Sequence, residues 1–169
     1  MGYTNNTGMS QFIAAGKIEK TAGTWTPTVA SNVVSDVRTA TAAAFTLLIP
    51  VELPSNSAYH NGALLKSVDV FYKIATAAAT DVATVELEKV TLPATGTGVT
   101  GAAVTGSCDS GHDTAAKRKA VGDHTLTFTV TNPVWVTNGD ACYLQVVVDA
   151  AATTAFTLFG ARANYTLRV

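Results

Sequence analysis

Apolar and small polar residues alternate along much of this chain, most plainly in Thr125-Leu126-Thr127-Phe128-Thr129-Val130. Leu126, Phe128 and Val130 share one side and the threonines share the other. A period of two marks a strand with one dry and one wet face. Threonine, β-branched and uncharged, suits the wet face of a pleated surface. The same period sets Val68, Val70, Tyr72 and Ile74 against Asp69, Phe71 and Lys73, and Val85 and Leu87 against Glu86 and Glu88. It places Cys142, Leu144, Val146 and Val148 on one face. It also divides Ala163, Tyr165, Leu167 and Val169 from Arg162, Asn164, Thr166 and Arg168. Phe71 breaks the rule, and an aromatic on a polar side predicts contact with a second layer or another subunit.

Turn residues punctuate these runs. Trp25-Thr26-Pro27-Thr28-Val29 reads as a short extended piece, with Pro27 at a sheet edge. Residues 45–49 form an apolar strand that Pro50 should end, and Pro54 with residues 55–57 continues the loop. Asn61-Gly62 signals a turn before a strand over 64–74. Residues 75–80, rich in alanine, are squeezed between strands and read as a loop. A strand over 82–92 stops at Pro93, and residues 94–106 form a loop or a weak strand around 99–104. Residues 113–121 predict one short helix, capped by Asp113 or Thr114 and ended by Gly122. Strands over 124–130, 141–149 and 154–159 follow, with a turn at Asn138-Gly139-Asp140. Gly160 then punctuates, and residues 161–169 form the last strand.

Before this pattern, Tyr3 through Gln11 has no period and is mostly Asn, Thr, Gly and Ser. Residues 1–23 therefore predict an N-terminal arm that orders against a neighbouring subunit, and 24–169 a single domain. Phe12 and Ile13, with Trp25 just beyond, are the apolar anchors of that assembly arm. Removing residues 1–20 should leave a folded domain that assembles poorly. The expected fold is all-β: a two-sheet sandwich of about eight strands and one short helix, of jelly-roll type, with an immunoglobulin-like sandwich as the alternative.

Composition adds a constraint on partners. Only 14% of the 169 residues are charged and the formal net charge is -1, whereas a soluble domain averages about 25% charged residues. No basic field is present to attract nucleic acid, and no run nears the roughly 20 apolar residues that span a bilayer. Neither nucleic acid nor membrane is expected as a partner. The start Met1-Gly2-Tyr3-Thr4-Asn5-Asn6 lacks the basic and apolar regions of a secretory signal, so folding in a cytoplasm is expected. Cys142 fits as a small core residue and Cys108 lies in a loop; a reducing compartment argues against a bridge between them. A surface so poor in charge has little to keep neighbours apart, which points to coverage by copies of the same chain or by a larger assembly.

The chemistry-bearing residues gather in Asp109-Ser110-Gly111-His112-Asp113, with Asp123-His124 beyond the helix. Asp109 and Asp113 offer oxygen ligands for a hard cation, and His112 and His124 with an Asp offer a zinc set. Their spacing matches no established metal motif, and Asp and Ser ordinarily close turns and cap helices here. No metal or cofactor is expected. Ser107, Ser110, His112 and Asp113 supply hydrolase residue types, but no Gly-x-Ser-x-Gly elbow holds them. Glu86 and Glu88 share a solvated strand face rather than opposing across a groove. Lys117-Arg118-Lys119 reads as a solvated helix face, and Gly96, Gly98 and Gly101 form no phosphate loop. Trp25, Trp135, Tyr59 and Tyr143 are the aromatics available for a sugar-stacking platform, although Trp135, between Val134 and Val136, suits sheet-edge packing.

Several phrases carry a family resemblance: Ser67-Val68-Asp69-Val70-Phe71-Tyr72-Lys73, Val85-Glu86-Leu87-Glu88-Lys89-Val90, Gly111-His112-Asp113-Thr114-Ala115-Ala116, Gly122-Asp123-His124-Thr125-Leu126 and Gly160-Ala161-Arg162-Ala163-Asn164-Tyr165. Over residues 64–169 the chain resembles small virion structural proteins of tailed bacteriophages. That resemblance implies a non-enzymatic capsid decoration (cement), head-fibre or tail accessory protein. It would be made in the host cytoplasm and located in the virion. Its expected partners are itself, as a homotrimer, and the major capsid or other virion proteins. The resemblance transfers no functional residues. The alternative expectation is a carbohydrate- or receptor-binding module.

Overall fold

The computed structural model describes residues 6–54, 63–92, 95, 98–137 and 139–168. Tyr59, the Asn61-Gly62 turn, Pro93 and Asn138 lie outside the described residues, as do Ser55, Asn56, Ser57, Gly96, Met1 to Asn5 and Val169. Twelve strands run among the described residues: β1 (Asn6–Ala14), β2 (Glu19–Lys20), β3 (Trp25–Ala30), β4 (Val33–Arg38), β5 (Ala43–Val51), β6 (Ala63–Ala75), β7 (Asp81–Thr91), β8 (Thr100–Val104), β9 (Gly106–Cys108), β10 (Gly122–Val136), β11 (Asp140–Ala150) and β12 (Ala155–Arg168). One short helix, α1 (Ala115–Arg118), precedes β10.

The strands form two antiparallel sheets. The larger has seven strands in the order β3-β4-β12-β6-β10-β9, with β1 also paired to β12; the smaller is β2-β5-β11-β7-β8. Four pairs nest inside one another: β4 with β12, β5 with β11, β6 with β10 and β7 with β8. Successive pairs fall alternately in the larger and the smaller sheet.

The alternation in the sequence becomes the burial pattern. Leu126, Phe128 and Val130 are buried beside Val68, Val70, Tyr72 and Ile74 of β6. Cys142, Leu144, Val146 and Val148 of β11 and Phe45, Leu47 and Ile49 of β5 close the core from the smaller sheet. Aromatic rings tie the sheets together at one end. Phe45 meets Phe156 edge-on at 5.2 Å, Phe156 stacks on Tyr72 at 5.3 Å, and Trp25 presents its edge to Phe45 at 5.3 Å. Such contacts add about 0.5–1.5 kcal/mol each beyond area burial. Arg38 is buried against Phe45, its guanidinium donating to the carbonyls of Thr41 and Ala43.

The structure corrects the sequence reading in four places. First, residues 6–20 are not a separate arm. β1 pairs with β12 from Asn6↔Arg168 to Ala14↔Gly160, and Ile13, Ala15 and Ile18 are buried in the core. Backbone ladders need no side-chain alternation, so a strand whose residues show no apolar–polar period escaped the pattern. Truncating residues 1–20 would therefore remove core side chains and bare one flank of β12, instead of leaving an intact domain. Second, Pro50 does not end β5, which runs to Val51. Pro50 lies beyond the register with β2, which covers only Leu47 and Leu48, and such an edge tolerates a missing donor. Third, Gly160 does not divide two strands. It sits at a bulge within β12 with φ +138°, a geometry suited to glycine. Fourth, β1, β4 and the short strands β2 and β9, none of them expected, raise the number above eight.

One edge of each sheet, the β3–β4 ribbon in the larger and β8 in the smaller, is uncharged, whereas the opposite edge of the smaller sheet, β2, carries Glu19 and Lys20. From Thr26 to Ser35 and from Leu92 to Ser107 the chain has no charged residue. β4 pairs with β12 only over Asp36 to Arg38, so the outer parts of β3 and β4 form a two-stranded ribbon. Ser31 and Asn32, both at positive φ, turn it as a two-residue hairpin requires. Val29 and Val34 are cross-strand partners on it, 73% and 59% exposed.

Candidate functional site

The loop 109–113 packs against α1 and the start of β10. Thr114 caps α1 by accepting from the Lys117 N–H, and α1 stops at Arg118, before Gly122. Asp109 continues the β9–β10 ladder with its side chain: its carboxylate accepts from the Thr127 N–H at 2.8 Å and the Gly111 N–H at 2.8 Å. Burial alone would raise this carboxyl; the bonds from Thr127, His112 and Gly111 outweigh it and hold it below the ordinary carboxylate range. His112 places Nδ1 3.0 Å from that carboxylate and Nε2 3.2 Å from Nδ1 of His124. His124 Nε2 lies 2.9 Å from the Ala120 carbonyl, and its ring stacks on Tyr72 at 4.6 Å.

Arg118 corrects the expectation of a solvated basic face. It is buried and donates to the carbonyls of Val82, Ala83 and His112 at 2.8, 3.1 and 2.9 Å. Tyr72 donates its hydroxyl to the Arg118 carbonyl at 2.7 Å, and burial pushes that phenol's pKa up. Lys117 and Lys119 do reach solvent, each donating to a backbone carbonyl. One buried guanidinium thus fastens α1 to β7 across the sheet gap.

This cluster brings Asp109, His112 and His124 together and leaves Asp113 apart. Asp113 pairs with Lys117 at 2.8 Å, which holds its carboxyl below the usual range. Among the described residues no group of three or more His, Cys, Asp and Glu is placed to hold a metal ion. Neither ring nitrogen of His112 faces Ser107 or Ser110, since both are engaged elsewhere. What the arrangement does chemically is lock a loop, a helix and a strand through filled hydrogen bonds.

The other singled-out residues are dispersed. Trp25 is turned into the aromatic end of the core and donates Nε1–H to the Ala22 carbonyl at 2.9 Å. Trp135, 38% exposed, lies in the larger sheet and Tyr143, equally exposed, in the smaller. They make no common platform, and Trp135 is more open than sheet-edge packing predicts. Cys108 and Cys142 are free thiols in different sheets; burial raises both, Cys142 to about 11. Tyr143 lines a cleft of about 270 Å³ with Val51, Leu53, Val136 and Asp140.

Sequence reasoning missed the most elaborate polar network, on the outer face of the larger sheet. Asp69 is only 4% exposed. Its carboxylate accepts from Thr127 Oγ1 at 2.8 Å, Arg162 Nε and Nη2 at 2.9 and 2.7 Å, and Asn164 Nδ2 at 3.0 Å. Asn164 Nδ2 also donates to Ser67 Oγ at 3.1 Å. The Arg162 guanidinium lies over the Phe71 ring at 5.5 Å, which explains the aromatic on the polar side. Phe12, 62% exposed, is the cross-strand partner of Arg162. The available signal was the run of polar and aromatic residues at one parity on β6 and β12.

No protein-family model and no curated protein matches the chain.

Proposed function

We propose that this chain is a non-enzymatic structural component of a tailed-bacteriophage virion. It self-associates as a trimer and binds the capsid, in a decoration or cement role, or the tail. The reading also takes the fold to be a jelly roll. The nested pairs β4–β12, β5–β11, β6–β10 and β7–β8, alternating between two sheets, are what one long rolled hairpin would leave.

One observation carries the self-association: one edge of each sheet, β3 in the larger and β8 in the smaller, is free of charge along its whole length. Soluble proteins protect exposed edges with charge, bulges or cover. Here β3 and β8 carry no charge, and the ribbon bears Val29, Val33 and Val34 in solvent. A two-stranded ribbon is marginal alone in water, so a subunit contact gives it a reason to persist. Repeated contacts of this kind add up across a shell. The phage-like phrases over residues 64–169 supply the virion setting.

Sedimentation equilibrium at micromolar concentration tests the reading. The expected mass is three times that of the 17.4 kDa chain, falling to one chain when Val34→Lys puts a charge on the ribbon. A strict monomer would overturn the self-association. Absence of the chain from purified particles that encode it would overturn the virion role.

A further inference from the structure

The outer face of the larger sheet presents a built surface that self-association does not use, spread over β1, β12, β6 and β10. We infer that it binds one ring of a neutral pyranose, as found in surface polysaccharides, with Phe12 and Phe71 as the apolar contacts and Arg162 and Asn164 as the polar ones.

The polar groups are fixed before any ligand arrives. Asp69 consumes Nε and one Nη2 hydrogen of Arg162, and Asn164 Nδ2 is spent on Ser67 and Asp69. Among the described residues, Nη1 of Arg162 has no protein acceptor and Oδ1 of Asn164 has no protein donor. The face therefore offers a donor and an acceptor two residues apart on one strand, drawn together because Arg162 Nη2 and Asn164 Nδ2 share one Asp69 oxygen. Sugar hydroxyls are both donors and acceptors, so neighbouring hydroxyls on a ring match such a pair. A carboxylate or phosphate does not, because Asn164 Oδ1 would oppose it and Asp69 already neutralises Arg162.

The apolar part is equally placed. A Cβ on Gly160 would come within 2.8 Å of Phe12 Cζ, so the Phe12 ring lies over a bare glycine. Gly160 is in turn the cross-strand partner of Phe71. Two aromatic side chains thus flank the Gly160 backbone beside the polar pair: Phe12 offers its exposed ring to the C–H face of a pyranose, and half-buried Phe71, with Arg162 over one ring face, offers the part the guanidinium leaves uncovered. Burying Asp69 on an outward sheet face is costly unless its partners are needed where they stand. Fixing Arg162 and Asn164 supplies that need, since ordered polar groups cost less entropy on binding.

NMR of the full chain tests this. The Arg162 Nε–Hε signal and the Phe12 and Phe71 ring signals are followed while methyl β-D-glucopyranoside, methyl β-D-galactopyranoside and methyl α-D-mannopyranoside are added in turn, to tens of millimolar. The expected result is a saturable shift confined to these residues with at least one sugar. Phe12→Ala, at an exposed position, should weaken it by about ten-fold, and Arg162→Lys should weaken it too while leaving the spectrum of the core unchanged. Silence with all three sugars overturns the assignment. So does an undiminished response in Phe12→Ala, and so do shifts that follow protein concentration without sugar, which would mean that a second copy covers this face.

Discussion

Phe12 and Ile13 are chain neighbours on opposite faces of β1, and substituting each in turn separates an integral strand from a loose arm. Ile13 is 4% exposed and Phe12 62%. Ile13→Ala removes three carbons; at about 0.8 kcal/mol each this forfeits about 2.4 kcal/mol of transfer free energy. The cavity left in a shared core raises the total to roughly 3–4 kcal/mol. For a chain of this size each kcal/mol moves the midpoint by about 2–4 °C, so a fall of roughly 6–15 °C is expected. Phe12→Ala should stay within about 0.5 kcal/mol of the parent. Urea unfolding followed by tryptophan fluorescence reads both, with an unchanged m-value confirming that the unfolding reaction is the same. If Ile13→Ala falls within about 0.5 kcal/mol of the parent, β1 is not docked as described and the arm reading of residues 1–23 returns.

Two further outcomes follow from the site. Arg118→Met removes the donor from three carbonyls, at about 1–3 kcal/mol per buried group left unpaired; a loss of about 3 kcal/mol or more in thermal unfolding is expected, and a loss under about 1 kcal/mol would contradict the fastening role. Asp140, although burial would raise it, is held at about 2 by the hydroxyl and N–H of Thr137, Lys89 and Thr91. A depressed carboxyl contributes stability that is complete above its unfolded value near 4 and is lost as pH falls through the folded one. The melting temperature should therefore drop between pH 4 and about 2, and Asp140→Asn should flatten part of that drop; an unchanged acid profile would refute the assignment.

The core strands were legible because their inward faces are filled by bulky apolar residues at a strict period. Val68, Val70, Tyr72 and Ile74 and the β11 set are buried as the alternation requires. What escaped had no such signature. β1 is held by a backbone ladder, which is blind to side chains, and only Ile13 betrays its inward side. Gly160 looks the same in sequence whether it breaks a strand or bulges it. Arg118 resembles its lysine neighbours until the carbonyls of β7 appear beside it. The loop 109–113 was found by residue type, but its hydrogen-bonded chain through His124 depends on α1 folding back between them. Asp69 reads in the sequence as an ordinary wet-face residue, because its four donors come from strands far away in the chain.

β12 has a consequence for how the polypeptide is made. It fills one flank of β6 and divides its other flank between β1 and β4. Until residue 155 emerges from the ribosome, three earlier strands wait with unsatisfied amides and carbonyls, and the longest loop to close runs from Asn6 to Arg168. Such non-local closure is slow and leaves the nascent chain sticky. That interval is when the chain is most open to misassembly, whatever the stability of the finished fold.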